Sequence, residues 1–368
     1  MPEEVTALRK NMILTLGMWL LFGLGALIIM LYVAAHKTIV ITDVGRDEAY
    51  LLRDHSDEVQ SESAERSEYV LPVAYDRSMP AQLTVPLPGN LTAESVEIEN
   101  HYLQNELWIH MKGVTEDFYK NKSVISDKGY AEAAFYEVLK DETVLKLHMS
   151  GIYEYVSTME EDRLVMNCRV PSEVFEMIVV VDPVWENTEA GFEKDGLQES
   201  ATPSYDPLKK GIVLNVAKSL QQMENVDSFK IYFTRLNDSE MTDPERSKLA
   251  QRLNADLYVE LSVSEDQQDP QKYGICAYYN EEFYIPGFGN VQWADALARN
   301  VAIASSNRAV GLYPAKEDDV ISRLDIPAAR IALGFVTNES ENQLMQQDEY
   351  VEKLAQGILN AITEALEQ

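Results

Sequence analysis

Histidine is scarce in this sequence and absent from its C-terminal half. The chain has five histidines: His36, His55, His101, His110 and His148. A site that depends on imidazole, as ligand or as base, therefore cannot be built from the chain beyond residue 148 alone. The two cysteines, Cys168 and Cys276, have no metal-ligand spacing. We interpret them as buried thiols, with a disulfide between them as the alternative outside the cytoplasm.

Other signatures of chemistry are missing as well. The sequence has no G-x-S-x-G nucleophile elbow and no glycine-rich phosphate-binding loop. Basic residues are also few: the chain has 31 Lys and Arg against 61 Asp and Glu, which gives a net charge of −30. A negative field of this size repels nucleic acid and anionic lipid, which argues against both as partners. It is typical of a highly soluble acidic surface.

Residues 11–35 carry no charged side chain and consist mostly of apolar residues and glycine. A run of about 20 such residues spans a bilayer as a helix. Arg9 and Lys10 precede the run, whereas only Lys37 follows it before acidic residues begin at Asp43, so a slight basic excess predicts that residues 1–10 are a cytoplasmic tail and that the bulk is extracytoplasmic. The alternative is a cleaved signal peptide, whose apolar region is only about 7–15 residues long. The sequence therefore predicts a single-pass anchor in the cell membrane.

The next two segments differ sharply in composition. Residues 36–68 are rich in Ser and Glu, which predicts a charged spacer that lifts the rest of the chain off the membrane. Residues 69–175 show period-two alternation, which predicts a β-rich module with a short helix at residues 130–139. The aliphatic positions that carry this pattern include Leu83, Val85, Val96, Ile98, Leu107, Ile109, Met111, Leu145, Leu147 and Met149. His110 and His148 fall on the opposite face, where local hydrogen bonding is favoured over a metal site.

From residue 176 to the end, strands and helices alternate. Residues 178–181 (IVVV) predict a buried strand that ends at Asp182-Pro183. Further strands are predicted at residues 229–234, 257–263, 274–279 and 330–335, and helices at residues 212–223, 242–254, 290–306 and 348–366. This order predicts an α/β domain with a mostly parallel sheet and helices on both faces. Ligands usually bind where such strands end, which makes Asp182 and Glu186 candidates, although a solvated acidic loop is the simpler interpretation.

Several motifs occur in a fixed order along this domain. They are Asp182-Pro183, Thr234-Arg235 with Asp238, Arg246 with the NADL run at residues 254–257, GICAYY at residues 274–279, and Pro327-Ala328 with Gly334-Phe335 and Asn338. As an ordered set, residues 178–365 resemble the zinc-dependent N-acetylmuramoyl-L-alanine amidases of the amidase-3 type, which cleave peptidoglycan. More loosely, the β-rich module resembles the β-sandwich wall-targeting domains attached to such enzymes.

The resemblance implies a zinc ion held by His, Glu and His, with a further Glu as general base, but the matching positions here are substituted. The first His falls on Trp185, whose indole offers no ligand lone pair. The second His falls on Ser262, and the catalytic Glu falls on Ala332. The zinc-binding Glu falls on Lys209 or, with an insertion, on Glu199. We therefore expect no zinc cofactor and no catalytic residue at these positions.

Three hypotheses follow. The first is a non-catalytic member of the family that binds peptidoglycan or another cell-wall or division protein. Its candidate binding residues are Asp182, Trp185, Glu186, Glu199 and Arg246, although Trp185 could equally fill the vacated metal pocket. The second is an active peptidoglycan amidase with a displaced site. The third is a structural scaffold of a division or spore-envelope complex.

Overall fold

The computed structural model describes residues 39–44, 68–80, 82–127, 129–139, 142–184, 207–223, 228–239, 241–282, 284–315 and 319–368. The predicted membrane span at residues 11–35 lies outside these ranges. Among the described residues, no helix is long and apolar enough to cross a membrane.

The N-terminal part is a β-sandwich of two mostly antiparallel sheets. Its strands are β1 (Ile41–Asp43), β2 (Glu68–Leu71), β3 (Val73–Tyr75), β4 (Gln82–Pro86), β5 (Val96–His101), β6 (Glu106–Lys112), β7 (Val124–Ser126), β8 (Ala131–Val138), β9 (Glu142–Met149), β10 (Glu154–Met159) and β11 (Arg163–Arg169). One sheet has the order β1-β5-β6-β9-β8-β2 and the other β10-β11-β4-β7-β3. Side chains such as Leu83, Ile98, Leu107, Leu145 and Leu164 pack into one core between the sheets, which confirms the predicted β-rich region.

Two expectations for this part are wrong. Residues 130–139 form no helix, because Ala131–Val138 is a strand, β8, held between β2 and β9. The alanines in this stretch favour a helix, but pairing on both sides overrides that preference. The prediction of a spacer at residues 36–68 is also wrong at its N-terminal end. Ile39 is buried, and β1 pairs with β5, so residues 39–44 belong to the sandwich.

The C-terminal part is the predicted α/β fold. Its strands are β12 (Met177–Pro183), β13 (Phe229–Phe233), β14 (Leu257–Ser264), β15 (Ile275–Tyr279), β16 (Ala309–Pro314) and β17 (Ala328–Phe335). Its helices are α1 (Pro207–Met223), α2 (Asp243–Leu253), α3 (Asn290–Ala304), α4 (Glu339–Met345) and α5 (Asp348–Leu366). The sheet order is β13-β12-β14-β17-β15-β16, with only the β15–β17 pair antiparallel. The sequence did not predict β16, a partly exposed edge strand, or α4, a helix of seven residues.

Side-chain alternation divides the buried sheet between two cores. Val179 and Val181 of β12 face a core formed with α1, α3 and α5. Ile178 and Val180 face a second core, which includes residues of α2 and of the 3-10 helix Val320–Arg323. Helices on both faces explain why the strands read as continuous apolar runs. As predicted, α2 begins after a capping box, in which the Glu245 carboxylate accepts the backbone N–H of Thr242 at 2.8 Å.

The sandwich packs directly on the α/β part. Tyr102 Oη donates to the carbonyl of Phe233 at 2.7 Å and lies 3.0 Å from its backbone nitrogen. Lys230 on β13 forms an ion pair with Asp43 on β1, with Nζ and Oδ2 2.6 Å apart. Tyr102 and Ile152 also belong to the second core of the α/β part. The position of β1 is therefore coupled to the position of the α/β sheet.

Replacing two helix glycines by alanine is expected to change the free energy of unfolding in opposite directions. A Cβ on Gly357 in α5 would lie 2.4 Å from the Cα of Val301 in α3, whereas one on Gly211 in α1 would meet no atom within 4 Å. We expect Gly357→Ala to lower the free energy of unfolding by about 1–3 kcal/mol through overpacking. Gly211→Ala should raise it by about 0.5–1 kcal/mol through helix propensity. Chemical denaturation of both variants checks the pair, and equal effects would contradict the close approach of α3 and α5.

Candidate functional site

The end of β12 is the candidate site, because it leads into the loop where the resemblance places the first metal ligand. Val184 follows the strand and is buried. Arg235, which is 2% exposed, fixes this end by donating to three backbone carbonyls. Its Nε lies 2.6 Å from Pro183 O, its Nη2 2.8 Å from Val184 O and its Nη1 3.0 Å from Asn237 O. Burial lowers the pKa of Arg235 to about 10. The Thr-Arg motif is thus explained as support for the strand end.

Asp182 and Arg246, both predicted as binding residues, are brought together by the fold. Arg246 Nη1 donates to Asp182 Oδ2 at 2.6 Å. The same carboxylate accepts Tyr258 Oη at 2.5 Å and Thr234 Oγ1 at 2.5 Å. Asp182 is 1% exposed, so three donors hold it inside the protein rather than in a ligand cleft. Its observed role is to join β12, β13, β14 and α2.

A second buried ion pair adjoins this group. Arg330 on β17 contacts Glu260 on β14 through Nε, and its Nη2 lies 3.0 Å from Asp319 Oδ1. Arg246 Nη1 is 3.8 Å from the other carboxylate oxygen of Glu260, which links the two pairs. Glu260 and Arg330 are each 2% exposed or less. Burial raises the pKa of the Glu260 carboxyl, against the lowering effect of Arg330 and Arg246.

The sequence analysis did not single out Glu260 or Arg330 as a pair. A signal for them existed, since each is the one charged residue within an otherwise uncharged strand, LYVELSVS and AARIALGF. A charge on a buried strand needs a partner. The register supplies it, because Glu260 and Arg330 are Cα partners on neighbouring strands. We name the group formed by Asp182, Arg246, Tyr258, Glu260, Arg330 and Asp319 the buried charge network.

The positions where the resemblance expects a zinc ligand and the catalytic Glu lie on β14 and β17, two residues beyond Glu260 and Arg330. Ser262 and Ala332 are the next Cα partners of β14 and β17 on the same face of the sheet. Ser262 Oγ donates to the carbonyl of Ile331 at 3.2 Å. Ala332 is 1% exposed and belongs to a core with Cys276, Tyr278 and Phe335. The structure therefore brings the predicted positions together, in packed surroundings.

These residues do not fit a zinc ion. Zinc in proteins takes imidazole nitrogen, thiolate or carboxylate. The side chain of Ala332 has no atom that can coordinate a metal. The hydroxyl of Ser262 is neutral and donates a hydrogen bond to a backbone carbonyl. Lys209, in the first turn of α1, holds its ammonium 2.8 Å from Glu265 Oε2. No group of three or more His, Cys, Asp or Glu suited to a metal ion occurs among the residues that the structure describes. Trp185, Glu186 and Glu199 lie outside those residues.

The sandwich histidines lie beside carboxylates. His101 Nε2 lies 2.8 Å from Glu99 Oε2, and His110 Nε2 lies 3.4 Å from the same oxygen. His148 Nε2 is 3.4 Å from Glu106 Oε1. The hydrogen bond from His101 and the proximity of His110 lower the pKa of Glu99 to about 2. The hydrogen bond to Glu99 raises the pKa of His110.

The contact between Glu99 and His110 predicts that the free energy of unfolding depends on pH, with opposite sign for the two residues. The Glu99 contribution to stability is present above pH 4.5 and is lost as the pH falls toward 2, because the folded carboxyl resists protonation. The His110 contribution is present below pH 6.5 and is lost as the pH rises through its raised folded pKa. We expect Glu99→Gln to lower the pKa of His110, because the carboxylate that raises it most is removed, while Glu142, 3.7 Å from Nδ1, stays in place. An NMR titration of His110 checks this. An unchanged titration of His110 in this variant would contradict the contact between His110 and Glu99.

The comparisons with known proteins concern the α/β part of the chain. The sequence model of the N-acetylmuramoyl-L-alanine amidase family (amidase-3) matches residues 179–364, just over half of the 368-residue chain. Among curated proteins there is no significant match.

The similar solved structures include three amidases. An N-acetylmuramoyl-L-alanine amidase from Clostridium difficile 630 is 22% identical, over 52% of this chain and 97% of that one, with a TM-score of 0.43. The catalytic domain of CwlV from Bacillus (Paenibacillus) polymyxa var. colistinus is 21% identical, over 52% and 98%, with a TM-score of 0.42. The CwlD amidase from Clostridioides difficile, solved in complex with the GerS lipoprotein, is 18% identical, over 52% and 98%, with a TM-score of 0.40.

The family match begins within β12 and ends within α5, so it takes in the whole α/β sheet and the candidate site at its edge. On the extent of that match, the chain belongs to the N-acetylmuramoyl-L-alanine amidase family.

Proposed function

We propose that this chain is a non-catalytic member of its family that serves peptidoglycan metabolism by binding rather than by hydrolysis. One observation carries the proposal. Ser262 and Ala332 are paired on adjacent strands where the resemblance expects a zinc-binding His and the catalytic Glu. Neither residue supplies a base or a metal ligand. The strands beneath them are joined by the buried charge network.

The surroundings of Ala332 favour a protein partner over a retained small ligand. A binding cleft requires space lined by side chains that can reach the ligand. Here Ala332, Cys276 and Phe335 are each 1% exposed or less, and Ser262 is 8% exposed. These four residues leave no room for a peptide stem between them. A cell-wall or division protein, bound through the surface of the domain, is therefore the favoured partner, with peptidoglycan itself as the alternative.

We further propose that residues 11–35 anchor the chain in the cell membrane as one span. The uncharged run is long enough to cross a bilayer, and Arg9 and Lys10 on its N-terminal side favour a cytoplasmic N-terminus. The remainder would then face the cell wall, where peptidoglycan and wall proteins are accessible.

Metal content and binding test this proposal together. The full chain, purified in detergent, is analysed for zinc and incubated with purified sacculi and with solubilised wall proteins. We expect no stoichiometric zinc, together with retention on sacculi or on a protein partner. Stoichiometric zinc would contradict the non-catalytic role. Absence of all binding would contradict the binding role.

A further inference from the structure

Two valines point into solvent at the place where the chain enters the sandwich. Val40 is 81% exposed and Val156 on β10 is 59% exposed. Both line one surface cavity of about 260 Å³, whose wall also includes Asp43, Glu154 and Lys230. They are held side by side because Ser157 Oγ donates to the carbonyl of Ile39 at 2.6 Å and lies 3.2 Å from its backbone nitrogen. Single exposed apolar residues are ordinary on a protein surface, whereas Val40 and Val156 form an apolar pair that hydrogen bonds hold in place.

The location is set by the proposed membrane span. Four residue steps separate Ala35, the last residue of the span, from Ile39. An extended chain covers about 3.5 Å per step, so Ile39 lies within about 14 Å of the end of the span. This inference rests on the membrane anchor of the proposed function.

No flexible tether intervenes after Ile39. Ile39 is buried, and β1 pairs in parallel with β5. Asp43 at the end of β1 accepts Asn100 Nδ2 at 2.9 Å and pairs with Lys230 of the α/β sheet. The charged stretch at residues 45–67 follows β1 and precedes β2, two strands of the same sheet. It therefore cannot separate the sandwich from the membrane.

We propose that the edge formed by Val40 and Val156 rests on the outer surface of the phospholipid bilayer, in contact with its headgroups, and so fixes the orientation of the amidase-like domain. Valine side chains gain by leaving water at the interface. The headgroups it fits are zwitterionic, because a chain with a net charge of −30 is repelled by anionic lipid. The Asp43–Lys230 pair transmits the orientation of β1 to the α/β sheet.

A fluorescent label placed at each edge of the sandwich tests the proposal. Val156→Cys marks the proposed contact. Val70→Cys is the matched control, since Val70 is 73% exposed on β2, at the far edge of the sheet that contains β1. Five strand spacings, about 24 Å, separate β1, which lies beside Val156, from β2, which carries Val70. The native Cys168 and Cys276 are buried, and burial raises the pKa of each thiol to about 12, so the label reacts at the introduced cysteine.

The full chain is reconstituted in phosphatidylcholine vesicles that contain nitroxide-labelled headgroups. We expect the label at residue 156 to lose most of its emission and the label at residue 70 to keep it. Equal emission at both positions, on protein that floats with the vesicles, would overturn the membrane contact while leaving the anchor intact. Failure to float with the vesicles would overturn the anchor and, with it, the contact.

Discussion

Replacing Arg330 by methionine is expected to lower the free energy of unfolding by about 3–5 kcal/mol, because it leaves a buried carboxylate without its partner. Arg330 contacts Glu260 and lies 3.0 Å from Asp319, and all three side chains are buried. Arg246, at 3.8 Å from Glu260, compensates only in part. Urea denaturation followed by circular dichroism measures the loss.

Two controls separate charge from packing. The double variant Glu260→Leu, Arg330→Met removes both charges of the pair, and we expect it to regain part of the loss. The exposed pair Lys353–Glu349 on α5 is the surface control, with Nζ and Oε1 2.7 Å apart. Lys353→Met should cost less than about 1 kcal/mol. A loss of the same small size for Arg330→Met would contradict a buried ion pair.

Replacing Asp182 by asparagine is expected to cost about 3 kcal/mol or more. The carboxylate accepts from Arg246, Tyr258 and Thr234, whereas an amide offers one acceptor oxygen and turns two donors toward its neighbours. Removing the charge also leaves the guanidinium of Arg246, which is 11% exposed, with fewer partners. The measurement is again the free energy of unfolding.

The opposite end of β12 offers the matched control for this substitution. Asp256 accepts the backbone N–H of Ile178 at 2.7 Å, but it is exposed to solvent. Asp256→Asn should cost about 1 kcal/mol or less, since water replaces the lost interaction. A double-mutant cycle of Asp182→Asn with Arg246→Met should show strong coupling. Additive effects in that cycle would refute the direct contact.

The architecture of the α/β part could be predicted from the sequence, because its elements carry strong periodic signals. The apolar run of β12, the capping box of α2 and the apolar stripe of α5 each appear in the structure at the expected place. The elements β16 and α4 carry no such signal and were missed. Strand β8 was predicted as a helix from its alanine content. The prediction was wrong because the local sequence does not show the strands that pair with β8 on both sides.

The candidate site was predictable in its positions but not in its contacts. Ser262 and Ala332 could be placed by motif order, and the strand register confirms that they are neighbours. The partners of Asp182 come from three elements remote in the chain, and no local pattern specifies them. For the same reason the Glu260–Arg330 pair required the register. The roles of Trp185, Glu186 and Glu199 stay predictions, since these residues lie outside the described ranges.

Release of peptide stems from peptidoglycan tests the central claim most directly. The full chain in detergent is incubated with purified sacculi and added zinc, and soluble stem peptides are quantified beside an active amidase of the same family. Because Ser262, Ala332 and Lys209 supply neither the metal ligands nor the base, we expect release no greater than in buffer alone. Stem release that a metal chelator abolishes would contradict the non-catalytic role.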